Sequence, residues 1–367
     1  MNLEPTDEQR ALRATVRQFL AEHAGVDAHV RQLIDDDRGT TSQVWNGLAN
    51  LGATGVLVPA EHGGAGMAIV DAAIVAEEMG AGLYPGPWLS SAVAAPRAIA
   101  RFGAGSEAAE LLAGIAAGDR VAAVGPLFSV PATSSGNGRV SGEFVVDDAR
   151  AADIILTVTQ HGEGLALYAV ETALPEVTLG RLPGIDQTHR RFQVTLDHAP
   201  GRLLGTAGAQ ALSALVDDVL IVAAADALGA AQRLVDMTVD YAKTRTQFGQ
   251  AIGSFQSVAH LCVDMFENVE LARSGVIHAA WAADEGDGDH RHLAALRLKA
   301  FSGQLAAVGD TAIQVFGGVG YTWEHDAHLY LKRLLSFSTQ GGNADRYLEL
   351  IGSEFAAAVT AGQPQAT

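Results

Sequence analysis

The chain has 367 residues, more than one ordinary core is built from, so two or three packed units are expected. A hydrophobic content of 48% and a charged content of 18% are those of a globular protein and exclude general disorder. The formal charge of −18, with no basic patch to override it, repels phosphate backbones and anionic lipid, which excludes nucleic acid and membrane surfaces as partners.

The first thirty residues are polar and charged, without the apolar core of a signal peptide, and no stretch approaches the roughly 18 apolar residues of a membrane span; a cytoplasmic protein is expected. The opening "PTDEQRALRATVRQFL" sets Thr6 three residues before Gln9, the spacing of a capping box, and then Leu12, Val16, Phe19 and Leu20 at helical intervals. Helical stripes recur in "QVWNGLANLG", stopped by Gly52, and in "AIVDAAIVAEEMG" up to Gly80. Residues 1–118 read as an α-helical domain.

After "AAGDR" the apolar residues come in short β-rich runs, "GRVSGEFVVDD", "DIILTVT", "GLALYAV" and "RRFQVTLD", punctuated by Gly, Pro, Asn and Asp. Residues 119–205 read as a small antiparallel β domain. Helical periodicity then returns over 206–367. In "SVAHLCVDMFENVELARSGV" the positions Val258, Leu261, Cys262, Met265, Val269, Ala272 and Val276 form one apolar stripe, and several long helices of this kind predict a bundle. Cys262 is the only cysteine, so it forms no internal disulfide and reads as a small residue on a buried helix face.

Two glycine-rich stretches, "EHGGAG" and "QVFGGVGY", lack the strand-then-helix context of a phosphate loop, and no Rossmann or Walker site is assigned. The first reads as a turn between helices. In the second, Gly317 and Gly318 leave backbone N–H groups unshielded and Gln314 offers an amide; in "YAKTRTQFGQAIGSFQ", Arg245 is a fixed cation suited to a diphosphate, flanked by Gln247, Phe248 and Gln256. His325 and His328 are too weak a pair to carry a metal site and read as helix-surface packing; "DEGDGDHRH" (284–292) reads as a solvated loop.

Three stretches in this order, "WNGLANLGATGVLVPAEHGGAG" (45–66), "ALGAAQRLVDMTVDYAKTRTQFGQAIGSFQSVAHLCVDM" (227–265) and "IQVFGGVGYTWEHDAHLYLKR" (313–333), resemble the acyl-CoA dehydrogenase family over nearly the whole chain. The resemblance implies a mainly α fold with a central β domain and a C-terminal four-helix bundle. It also implies FAD at a subunit interface, with Arg245, Gln247, Phe248, Gln256, Gln314, Gly317 and Gly318 on the ADP half of a flavin held mainly by a neighbouring subunit.

Two departures from the family pattern stand out. The family removes an α-proton from an acyl-CoA thioester with a positioned base, usually glutamate, in one of two slots. One falls here on Thr339, Gln340 or Gly341 of "FSTQGGNAD", the other on Val219 behind Asp217 and Asp218; none of the slot residues is a base, and the two aspartates read as an exposed pair unless a one-residue slip brings in Asp218. The segments that grip the flavin ring in the family are replaced here by "GPLFSVPATSSGNG" and "SGEFVVDDARAAD". A chain with the ADP contacts but no catalytic residue of its own is expected to be the non-catalytic subunit of a heteromer, similar to the α2β2 dehydrogenases of sterol side-chain degradation. Its expected partners are a homologous catalytic subunit, an acyl-CoA thioester and an electron-transfer flavoprotein or similar acceptor, with no metal. The alternatives are a self-sufficient homotetramer using Asp218, a flavin-dependent monooxygenase of the same fold, and a scaffold without flavin.

Overall fold

The computed structural model describes residues 4–103, 105–135 and 137–360. The N-terminal helices are α1 (Asp7–His23), α2 (Ser42–Asn50), α3 (Ile69–Ala81), α4 (Ala95–Phe102) and α5 (Ser106–Ala117). The capping box forms as the spacing predicts: Gln9 N donates to Thr6 Oγ1 at 3.2 Å and Thr6 N to Gln9 Oε1 at 3.0 Å. Val16 and Leu20 turn inward, and Arg13 and Arg17 reach across to Glu77 and Glu78 of α3 at 2.7 and 2.8 Å. "EHGGAG" is a turn between α2 and α3, with Gly63 in the left-handed region at φ +80°.

The strands are β1 (Ala122–Gly125), β2 (Ala132–Ser134), β3 (Arg139–Asp147), β4 (Ile154–His161), β5 (Gly164–Glu171), β6 (Val177–Leu182), β7 (Arg191–Pro200) and β8 (Arg202–Ala207). They form one sheet in the order β6-β7-β3-β2-β4-β5-β8, with β1 also on β4. The hairpins are antiparallel; β1 and β2 run parallel to β4, which lets the chain enter the sheet beside its centre and return along β3. One face packs on α4, α5 and the start of the next helix through Ile99, Ile115, Leu156, Leu167 and Leu215.

The C-terminal helices are α6 (Gln210–Thr244), α7 (Gln256–Glu285), α8 (Gly288–Ser302), α9 (Leu305–Phe316), α10 (Ala327–Thr339) and α11 (Ala344–Thr360). α6 is buried along most of its length, against α3 on one side and the bundle on the other. Two glycines permit that approach: a Cβ on Gly80 would stand 1.8 Å from Asp226 O, and one on Gly229 1.8 Å from Glu77 O. On α7 the predicted stripe is buried from Met265 through Val269, Ala272 and Val276. Val258, Leu261 and Cys262 are only half-buried, because the first two turns of α7 extend to the open end of the bundle. No helix among the described residues is long and apolar enough to cross a membrane.

Candidate functional site

α6 stops at Thr244 and the chain turns back at once. Thr246–Gln247 pairs with Gln250–Ala251 across a two-residue turn in which Phe248 and Gly249 both take positive φ, +52° and +82°. The turn drives the Phe248 side chain outward, where it is 93% exposed, with its ring edge-on to Phe255 at 6.2 Å. α7 starts at Gln256, and the Tyr241 and Phe316 rings, 4.9 Å apart, fix the end of α6 to the end of α9. Arg245, Gln247, Phe248, Gln256, Gln314, Gly317 and Gly318 therefore gather at one end of the bundle, and all seven are exposed. The Arg245 guanidinium has no hydrogen-bond or ion-pair partner among the described residues. A Cβ on Gly317 or Gly318 would meet nothing within 4 Å, so the backbone there is open to a ligand.

None of these seven lines the main cavity, which has a volume of about 320 Å³. It opens where the end of β3, the 127–129 loop, the π-helical turn Leu89–Ala94, the first half of α6 and the end of α10 converge. Both base slots face it, Val219 from α6 and Thr339, Gln340 and Gly341 from the end of α10. So do both segments that differ from the family's ring-binding pattern, through Leu127, Phe128 and Ser129 and through Val145, Asp147 and Asp148. At Gly341, with φ +69°, a Cβ would lie 2.7 Å from Phe128 Cε1 and 2.8 Å from Tyr347 Oη: the Phe128 ring fills the space a longer side chain would need.

Sequence reasoning missed the charged groups of this cavity. Burial pushes Asp147 up to about 6, and pushes Asp148 up to about 7 against the opposing hydrogen bond from Ser90 Oγ at 2.6 Å. Arg333, 1% exposed, donates to Asp226 at 3.0 Å, Thr188 Oγ1 at 2.7 Å and Tyr84 O at 3.1 Å, and lies 3.5 Å from Asp186. Asp186 is held below the usual carboxylate range: burial opposes this, and Arg333, His189 and Thr188 outweigh it. Arg190, also buried, donates to the carbonyls of Pro85 and Thr188 at 3.0 and 3.3 Å. The signals were "VDD" and "DQTHRR", charged runs at strand ends.

Asp217 and Asp218 are buried, 3% and 0% exposed, so the exposed-pair reading is corrected. Asp218 points away from the cavity into three arginines, Arg97 at 2.7 Å, Arg101 at 2.5 Å and Arg291. Asp217 accepts from the His292 ring at 2.9 Å. A carboxylate so enclosed, with no path to the cavity, does not take a proton from a thioester. The 284–292 stretch is likewise structural rather than merely solvated: besides Arg291 and His292, Asp284 accepts from Ile69 N and Val70 N at 3.0 and 3.2 Å and caps α3. His328 is buried against the Trp323 ring at 4.8 Å, not at a helix surface, and burial lowers it to about 4.

The model of the acyl-CoA dehydrogenase N-terminal domain matches residues 6–119, and that of the acyl-CoA dehydrogenase C-terminal domain matches residues 210–355. Acyl-CoA dehydrogenase IpdE2 of Mycobacterium tuberculosis is 33% identical over 90% of this chain and 91% of its own. The solved Tcur3481-Tcur3483 steroid ACAD superposes with a TM-score of 0.88 at 28% identity, over 96% of this chain and 99% of that one. The ChsE4-ChsE5 complex from Mycobacterium tuberculosis does so at 0.87 and 27%, over 97% and 99%. FAD is bound by relatives of this family. With helical, sheet and bundle regions in the family's order, and both terminal regions matched along most of their length, the chain belongs to the acyl-CoA dehydrogenase family.

Proposed function

We propose that this chain is the non-catalytic subunit of a heteromeric, FAD-dependent acyl-CoA dehydrogenase, lending the ADP side of its bundle to a flavin whose ring and catalytic base belong to a homologous partner. The observation that carries the reading is the contrast between the two ends of the molecule. Both base slots open on one cavity with no carboxylate in either, and Phe128 occupies the space over Gly341, while the exposed bundle end keeps its cation, its amides and its unshielded glycines.

The donor set at the bundle end fits the nucleotide half of FAD. Arg245 neutralises a diphosphate, Gly317 and Gly318 admit phosphate oxygens to backbone N–H groups, Gln247, Gln256 and Gln314 orient by hydrogen bonding, and Phe248 offers a flat apolar face. The cavity does not fit the ring half: Phe128 and the carboxyls of Asp147 and Asp148 stand on its wall. FAD, when bound, supplies the acceptor for the hydride that leaves the acyl chain. The role of this chain's residues is to hold and orient, with proton removal assigned to the partner.

Support for a heteromer comes from the two-component names of both solved relatives, and support for a bulky steroid-derived thioester from the name of the first. The apolar exposed face of α7, with Val263, Phe266 and Leu271 about half-exposed or more, gives a partner surface to cover. Domain limits near 118 and 205, a cytoplasmic location and an electron-transfer flavoprotein as acceptor belong to the same proposal. The test is co-purification with a homologous dehydrogenase chain of the same genome and a count of flavin per chain. One flavin for each pair of chains is expected; a chain that, purified alone, is yellow and desaturates an acyl-CoA overturns the reading.

A further inference from the structure

The cavity keeps a second kind of order that a subunit without chemistry does not need. At about 320 Å³ it is at the lower end of the range of organic-ligand sites. Leu89, Val124, Val145, Val219 and Ala223 make part of the lining apolar. Asp147, half-buried at the end of β3, also lines the cavity, and its carboxyl makes no hydrogen bond or ion pair among the described residues.

The other carboxyls of the lining are engaged within the protein: Asp148 with Ser90, Asp186 with Thr188 at 2.6 Å, Asp226 with Arg333. The two buried arginines are engaged as well, Arg333 with Asp226 and Thr188, and Arg190 with backbone carbonyls. Asp147 is therefore the one carboxyl of the lining without a protein partner among the described residues, beside neutral groups of Ser129, Ser336 and Gln340, and both buried arginines are already engaged. Arg191 stands exposed at the rim and acts on Asp147 electrostatically. An anionic head group would meet Asp147 as a like charge and Arg191 as an opposite one, and a cationic head group the reverse, so each would be repelled by one of the two. A hydroxyl meets neither penalty, and donating to Asp147 gives the carboxyl the partner it lacks.

We propose that this cavity is a ligand site separate from desaturation, taking an uncharged alcohol with a compact apolar body whose hydroxyl donates to Asp147. The inference rests on the reading above, in that no flavin ring fills the same space.

Calorimetric titration of the full-length chain in its complex at pH 8 tests it, with three probes that share one apolar body: 1-adamantanemethanol, 1-adamantanecarboxylate and 1-adamantanemethylamine. Complexes carrying Asp147→Ala or Val145→Trp serve as references, the first removing the acceptor and the second narrowing the apolar part of the lining at a partly exposed position. The alcohol is expected to bind the wild-type complex at least tenfold more tightly than either variant. Alcohol binding that is equal in all three complexes overturns the proposal, as does a wild-type preference for the carboxylate or the amine. If Asp147→Ala fails to fold, the head-group series and Val145→Trp still decide. Flavin absorbance of the chain purified alone is read in parallel: a yellow chain sinks the functional reading, whereas a colourless one in a complex that ignores the alcohol sinks only this inference.

Discussion

The ring of Phe128 lies where a side chain on Gly341 would begin, 2.7 Å from the Cβ position, with Tyr347 Oη 2.8 Å away on another side. The two residues are far apart in sequence, yet each explains the other: the glycine permits the aromatic residue, and the aromatic residue excludes a base. Gly341→Glu is therefore expected not to create a dehydrogenase. Positive φ and overpacking together lower stability by about 1–3 kcal/mol, visible as an earlier denaturant midpoint. Adding Phe128→Ala recovers part of that loss. Thioester-dependent flavin bleaching by the single variant, at an unchanged midpoint, contradicts this account.

At the other end of the molecule, substitutions should separate folding from flavin retention. Gly318 has ordinary φ and an open Cβ direction, so Gly318→Leu is expected to change stability by no more than about 0.5 kcal/mol. The same leucine blocks close approach of a phosphate to the backbone, and flavin is lost from the complex on dilution. Arg245→Ala removes a charge-assisted contact worth about 1.5–3 kcal/mol of flavin binding, again without cost to the fold, since its guanidinium has no partner among the described residues. Flavin per complex after gel filtration measures both; undiminished flavin supports a scaffold instead.

How much of this was legible in the sequence follows from the range of each interaction. The Thr6–Gln9 capping box, the α7 stripe from Met265 onward and the 245–249 turn are local patterns, and local patterns are what a sequence displays. The seven residues proposed for the nucleotide side could be named because the resemblance to the family runs through "RTQFG", "SFQ" and "QVFGG", short motifs that a sequence displays. β1, β2, β6 and β8 escaped notice, being short or, in β6, half exposed along one edge. Asp217 and Asp218 misled because their partners Arg97, Arg101, Arg291 and His292 come from α4 and α8, and helical spacing alone cannot announce them. The cavity's charged groups drew no notice for the same reason: Asp147, Asp186, Asp226 and Arg333 meet only in three dimensions.

Asp218 should behave as a structural residue. Asp218→Ala leaves three guanidinium groups facing one another in a mostly buried site, and breaking such a network costs about 3–5 kcal/mol. The urea midpoint is expected to fall accordingly. In complexes that still assemble, turnover per bound flavin stays at the wild-type level. A stable variant whose turnover collapses restores the self-sufficient reading.

Asp148 gives a pH dependence of definite sign. Its folded-state value, raised to about 7 by burial, lies well above the roughly 3.9 of an unfolded aspartate. Between about pH 4 and pH 7 the folded chain holds a proton that the unfolded chain has released, so this group's contribution is present below that window and is lost as pH rises through it. The slope is at most about 1.4 kcal/mol per pH unit. Asp148→Asn removes the titration but keeps a side chain that can bond Ser90 and that tolerates φ +59°. Carboxylates with the opposite tendency, such as Asp186 and Glu77, titrate in both proteins and cancel in the difference. The unfolding free energy of the wild type is expected to fall relative to Asp148→Asn between pH 5 and pH 7. Parallel profiles for the two proteins show instead that Asp148 is ionised throughout, and that the cavity is wetter than its packing implies.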